Sequence, residues 1–131
     1  MLTIFEKILI GHLIGDYLLQ SKKMAIMKTV PELSGYIWCI LHSVIYTIAI
    51  CIFVFPANPL IILFIFLSHF PVDRWSLAAK WLKLIKGRSI KDAFRSTENR
   101  REIDLSFSVL VYTIVDNTIH LLLIIMVFTW C

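Results

Sequence analysis

Each of the four histidines in this sequence lies inside an apolar run, where an imidazole is costly to leave unpartnered. The runs cover about residues 2–20, 35–55, 60–79 and 105–130, and hold His12, His42, His69 and His120 in turn. Three of the five aspartates accompany them: Asp16 follows His12 by four, Asp73 follows His69 by four, and Asp116 precedes His120 by four. Residues four apart share a helix face, so each pair projects together. An ionisable side chain within a membrane span costs about 2.5–3.5 kcal/mol on insertion scales, and seven of them require a common, compensated interior. The chain is therefore expected to turn these faces toward one another.

With 59% hydrophobic residues over 131 positions, the chain is too oily for an ordinary soluble domain. The expectation is a single all-α unit, residues 1–131, built as a four-span transmembrane helical bundle. The runs at 35–55, 60–79 and 105–130 each reach the roughly 20 residues that cross a hydrocarbon core. The run at 2–20 also carries Glu6, Lys7 and Gln20; alone it suits an interfacial helix, but as one bundle wall it spans with its polar face inward. "FPANP" (55–59) reads as a tight turn between the second and third spans. The opening residues lack the features of a signal peptide, so residue 1 is read as part of the mature protein.

Two basic connectors separate the spans. Residues 21–34 carry Lys22, Lys23 and Lys28 against Glu32, and residues 80–104 carry eight lysines and arginines. In a four-span chain both connectors share a side. The positive-inside rule makes that side the cytoplasmic face of the inner membrane, with both termini outside. The net charge of +4 is modest and follows this topology, so no nucleic-acid partner is expected. "SLAAKWLKLIKG" (76–87) reads as a basic amphipathic continuation of the third helix, able to lie on anionic headgroups. The polar stretch 96–104 reads as a mobile connector. Cys39, Cys51 and Cys131 form no CxxC pair, and no disulfide framework is expected. A chain this small is also compatible with homo-oligomerisation.

The order of the pairs carries the functional reading. Spans one and three run inward and read His-then-Asp; span four runs outward and reads Asp-then-His. Each aspartate then lies nearer the cytoplasm, with its histidine about one turn, roughly 6 Å, deeper. A carboxylate layer over an imidazole layer, in the cytoplasmic half of the bundle, suits a divalent transition metal with N/O ligands: zinc, manganese or iron, as one or two ions. The expected metal ligands are His12, His69, Asp73, Asp116 and His120; Asp16 or His42 would take a proton. Gln20, Arg74 and Asn117 are candidate substrate contacts. Pro71 removes a backbone donor between His69 and Asp73, freeing a carbonyl and bending the helix, and Gly11 and Gly15 allow close helix approach. The same residues could instead relay protons or serve as interhelical glue.

"HLIGDYLLQSKKMA" (12–25), the lone His42, "HFPVD" (69–73) and "DNTIH" (116–120) together resemble a family of small bacterial membrane proteins catalogued as domain of unknown function 3307. Its members open with H-x-x-x-D-[FY]-x-x-Q, continue with H-x-x-x-D and close with D-Q-x-x-H. Asn117 stands where glutamine is usual, and Ser76 stands where a lysine is expected. The resemblance implies a shared membrane fold and site but no reaction. More loosely, the layout is similar to integral-membrane metal-dependent hydrolases with H-x-x-x-D ligands. The expected function is therefore hydrolysis of a lipid-linked or amphipathic (phospho)ester in the membrane, with metal-bound water as nucleophile. The alternatives are a proton- or ion-coupled transport component and a structural membrane subunit.

Overall fold

Thr3 starts the first helix by capping it. In the computed structural model, which describes residues 1–97 and 99–130, α1 covers Ile4–Leu13. The Thr3 hydroxyl accepts from the Glu6 N–H, and the Glu6 carboxylate accepts from the Thr3 N–H at 2.7 Å. The helix then widens into a π turn, Ile14–Leu18, closed by the Leu19 N–H on the Ile14 carbonyl at 2.9 Å. A short α2 (Lys22–Met27), capped by Ser21, lies in the first connector. The long α3 (Leu33–Val54) ends at Phe55 in the left-handed region, Asn58 caps the next helix, and Pro59 opens α4 (Pro59–Arg74). Next come α5 (Leu77–Lys86), α6 (Ile90–Arg95) and α7 (Arg101–Trp130).

The third apolar run ends earlier than expected. Instead of continuing to residue 79, α4 stops at Arg74 and α5 departs at 57°. Pro71 removes a donor one turn before the break, and Ser76 takes a positive φ of 48°. The basic segment is therefore a separate helix. The described part of the second connector also carries more helix than its composition suggests. Ser89 caps α6, and Arg101–Asp104 already form the first turn of α7. Glu98 and Cys131 lie outside the described residues; Cys39 and Cys51 are free.

The helices α1, α3, α4 and α7 pack in that order, and α7 returns to α1, closing a four-helix ring. Gly11 and Gly15 let α1 sit close on α3: a Cβ at either position would lie 2.9 Å from Ile50 Cα or Tyr46 Cδ2 respectively. Ile8, Ile50, Ile65 and Ile124 form an apolar plug. They stand one or two turns from the histidines, on the side away from the connectors. The exterior is the reverse of a soluble protein's. Ile48 and Ile52 on α3, Leu63 and Leu67 on α4, and Leu110 and Leu122 on α7 are exposed while the histidines are buried.

By length and composition, α3 and α7 can each cross a membrane, and α4 with α5 makes a third span if the bent pair counts as one. With ten residues and a five-residue π turn, α1 rises only about 22 Å, against roughly 30 Å of hydrocarbon.

A candidate metal centre in the bundle interior

Four elements of the ring supply the site. The end of α1 and its π turn carry His12 and Asp16; α3 carries His42; α4 carries His69 and Asp73; α7 carries Asp116, Asn117 and His120. All four histidines and Asp73 are at most 4% exposed. Carboxylate and imidazole ends from different helices meet within 3.0–3.6 Å of one another.

Asp16, His42, His69 and Asp73 converge most tightly. His42 Nε2 lies 3.1 Å from Asp16 Oδ1, 3.1 Å from His69 Nε2 and 3.0 Å from Asp73 Oδ2. His69 Nε2 lies 3.2 Å from Asp73 Oδ2 and 3.6 Å from Asp16 Oδ1. A tetrahedral ion with ligands at about 2.0–2.1 Å sets those ligands about 3.3–3.4 Å apart, so the spacing suits one. Hydrogen bonding alone does not account for it. Gln20 Nε2 also lies 2.8 Å from His42 Nε2, giving that nitrogen four polar neighbours. A ring nitrogen offers one proton or one lone pair, and so can satisfy one of them well.

Asp73, Asp116 and His120 make a second, looser group. His120 Nε2 stands 3.6 Å from Asp73 Oδ1 and 4.0 Å from Asp116 Oδ2, and is buried without a hydrogen-bond partner among the described residues. Asp73 thus faces one group with each oxygen. Both buried groups can hold a metal ion.

His12 lies in neither group. Its Nε2 is 2.8 Å from Asn117 Oδ1, and the Asn117 Nδ2 donates to the Thr113 carbonyl at 2.6 Å and to the Tyr17 hydroxyl. That fixes the amide orientation, so His12 Nε2 is the donor to Oδ1. Its Nδ1 faces the Tyr46 hydroxyl at 3.1 Å and Asp16 Oδ2 at 3.3 Å. Asn117 therefore orients His12, whose Nδ1 in the neutral ring accepts from the Tyr46 hydroxyl, with Asp16 beside it. Arg74 lies over the Tyr36 ring at 3.8 Å and donates to the Lys28 carbonyl at 3.2 Å, clamping the first connector. Gln20 lines a cavity of about 300 Å³ that reaches the site, together with Asp16, Tyr17, Lys28, Tyr112 and Asp116.

Two further residues belong to the site. Tyr46 bonds His12 and stacks on the His69 ring, with centroids 3.7 Å apart and planes 16° apart. The Nδ1 atoms of His42 and His69 have no hydrogen-bond partner among the described residues, so His69 is held by this stacking and by the contacts of its Nε2 with His42 and Asp73. Tyr46 follows His42 by four, which is the one signal in the sequence that marks it. Lys28 places its ammonium 2.7 Å from Asp73 Oδ2. In sequence it is one lysine of a basic connector, with nothing to set it apart.

The profile of the family described as "Protein of unknown function (DUF3307)" matches residues 4–131. No curated protein and no solved structure matches the chain significantly.

Proposed function

This chain belongs to the DUF3307 family, whose description assigns no activity, and from its own residues we propose that it is an integral-membrane metal-dependent hydrolase acting on a lipid-linked or amphipathic phosphoester or related ester. The observation that carries this reading is the convergence of Asp16, His42, His69 and Asp73 on one point, with more polar neighbours around the His42 Nε2 than its single hydrogen bond can serve. These four residues hold the ion, which is zinc, manganese or iron. A divalent ion there supplies Lewis acidity and brings the pKa of water toward neutrality.

The chain's own groups do the rest. Asp116, on the cavity wall with His120 behind it, takes the proton. Gln20 and Lys28, on the same wall, meet the anionic part of the substrate. The cavity opens among residues of the first connector and α7, which suits a substrate whose head lies at the membrane surface.

Elemental analysis of detergent-purified protein should find a transition metal near stoichiometry, lost from His42→Ala and His69→Ala and removed by chelator together with phosphoesterase activity on lipid substrates. Full metal retention in both variants would overturn the reading. The chain of titratable groups from His12 through Asp16 and His42 to His69 is also continuous enough to relay protons. That alternative requires proton flux in proteoliposomes that survives the chelator.

In the membrane, the ring of α1, α3, α4 and α7 crosses as four helices, α1 spanning with help from its neighbours. The basic connectors face the cytoplasm and both ends face outward. In a chain freed of its own cysteines, a cysteine at residue 2 should react with an impermeant maleimide on intact spheroplasts. One at residue 99 should react only after permeabilisation. The opposite pattern would invert the topology.

A further inference from the structure

α5 begins where the third apolar run stops, on the side where the basic connectors gather. Its Leu82 is buried, while Trp81, Leu84 and Ile85 are exposed. Between α5, α6 and α7 lies a groove of about 570 Å³, within the range of small-molecule sites. Leu82, Ile90, Phe94 and Tyr112 give it apolar walls. Lys80, Lys83 and Lys91 also line it, and no described acidic residue does. Tyr112 stands in the wall of this groove and in the wall of the cavity that holds Asp16 and Asp116. One aromatic side chain thus divides a basic apolar groove from the candidate centre.

This combination selects its occupant. A hydrocarbon chain fits apolar walls, and three lysines along them, with no carboxylate among the described lining residues, can reach a phosphate at the rim. The exposed apolar residues beside the groove continue the outer surface that faces hydrocarbon. We propose that the groove binds one acyl chain of an anionic membrane lipid, with its headgroup phosphate held by Lys80, Lys83 and Lys91. The headgroup then lies next to Tyr112 and is presented to the site cavity. The presentation step rests on the hydrolase reading above; binding in the groove does not.

The test uses the full chain with Trp38, Trp75 and Trp130 replaced by phenylalanine, leaving Trp81 as the reporter beside the groove. It is reconstituted into phosphatidylcholine vesicles containing either brominated phosphatidylglycerol or brominated phosphatidylcholine, in the presence of a chelator. Trp81 should be quenched at a markedly lower mole fraction of the anionic lipid. Each lysine near an anionic surface contributes roughly fivefold, so Lys80→Gln/Lys83→Gln/Lys91→Gln should lower the preference by about a hundredfold. The equal-charge control Lys22→Gln/Lys23→Gln/Lys86→Gln should keep it. Ala79→Phe, which fills the groove from its rim, should weaken quenching by the anionic lipid while the lysines remain. Equal quenching by the two lipids in the parent, or a preference that both groove variants leave intact, would overturn the proposal. Because binding is read with chelator present, a protein that proves free of metal would sink the hydrolase reading and leave this result standing.

Discussion

Asp73→Ala is expected to empty the centre of metal altogether, while His120→Ala keeps the metal and loses turnover. Asp73 is the residue both groups share: one oxygen sits with His42 and His69, and the other faces His120. Removing the carboxylate takes a ligand from the first group and leaves the Lys28 ammonium facing imidazoles without its counter-charge. Changes to residues merely behind a ligand typically cost 10–100-fold in metal affinity, so loss of the ligand itself should exceed about 100-fold. His120 contributes to the second group only, and in the proposed reaction it stands behind Asp116, the proposed proton acceptor. The check is metal content by elemental analysis beside lipid phosphoesterase activity for each variant. Undiminished metal in Asp73→Ala would remove the basis for the site. A halved metal content in His120→Ala would instead assign a second ion to the Asp73–Asp116–His120 group.

The interior was legible because buried charge leaves a chain few choices. His12, Asp16, His42, His69, Asp73, Asp116 and His120 stand in apolar runs, and turning them inward is the one arrangement that avoids lipid. Their division of labour was not legible. Spacing makes His12–Asp16 and His69–Asp73 look equivalent, yet Asn117 and Tyr46 draw His12 out of the cluster while Asp16 enters it. The π turn at Ile14–Leu18 changes the pitch under Asp16, and no residue in "IGDYL" announces it. Arg74 and Lys28 exchange expected places for a similar reason. A charge at a span boundary is first a topology signal, and only the folded connector decides which one reaches the site. The break after Arg74 had a visible cause in Pro71, but the left-handed Ser76 that completes it did not.

Gly35→Ala should be the most damaging single-methyl change in the chain. Gly35 lies in the first turn of α3, where the connector folds back across the helix, and a Cβ there would fall 1.9 Å from the Val30 carbonyl oxygen and 3.1 Å from that of Met27. Neither neighbour is a flexible side-chain end, so the segment around Val30 has to lift. That segment is tied to the site at two points: the Lys28 carbonyl accepts from Arg74, and the Lys28 ammonium holds Asp73. Overpacking in a well-filled interior typically costs about 1–3 kcal/mol, and a clash with backbone should lie at or beyond the upper end. Gly87→Ala is the control. It has a positive φ of 58° but nothing within 4 Å of the added methyl, so its cost is the left-handed penalty of about 1–2 kcal/mol alone. Thermal unfolding in detergent, followed by loss of the monodisperse peak, should place Gly35→Ala well below Gly87→Ala. Restoring its yield by lower temperature should not restore full metal retention, because the connector that carries Lys28 has moved. Equal stability of the two variants, with normal metal in both, would mean that the connector is not seated on α3 as described.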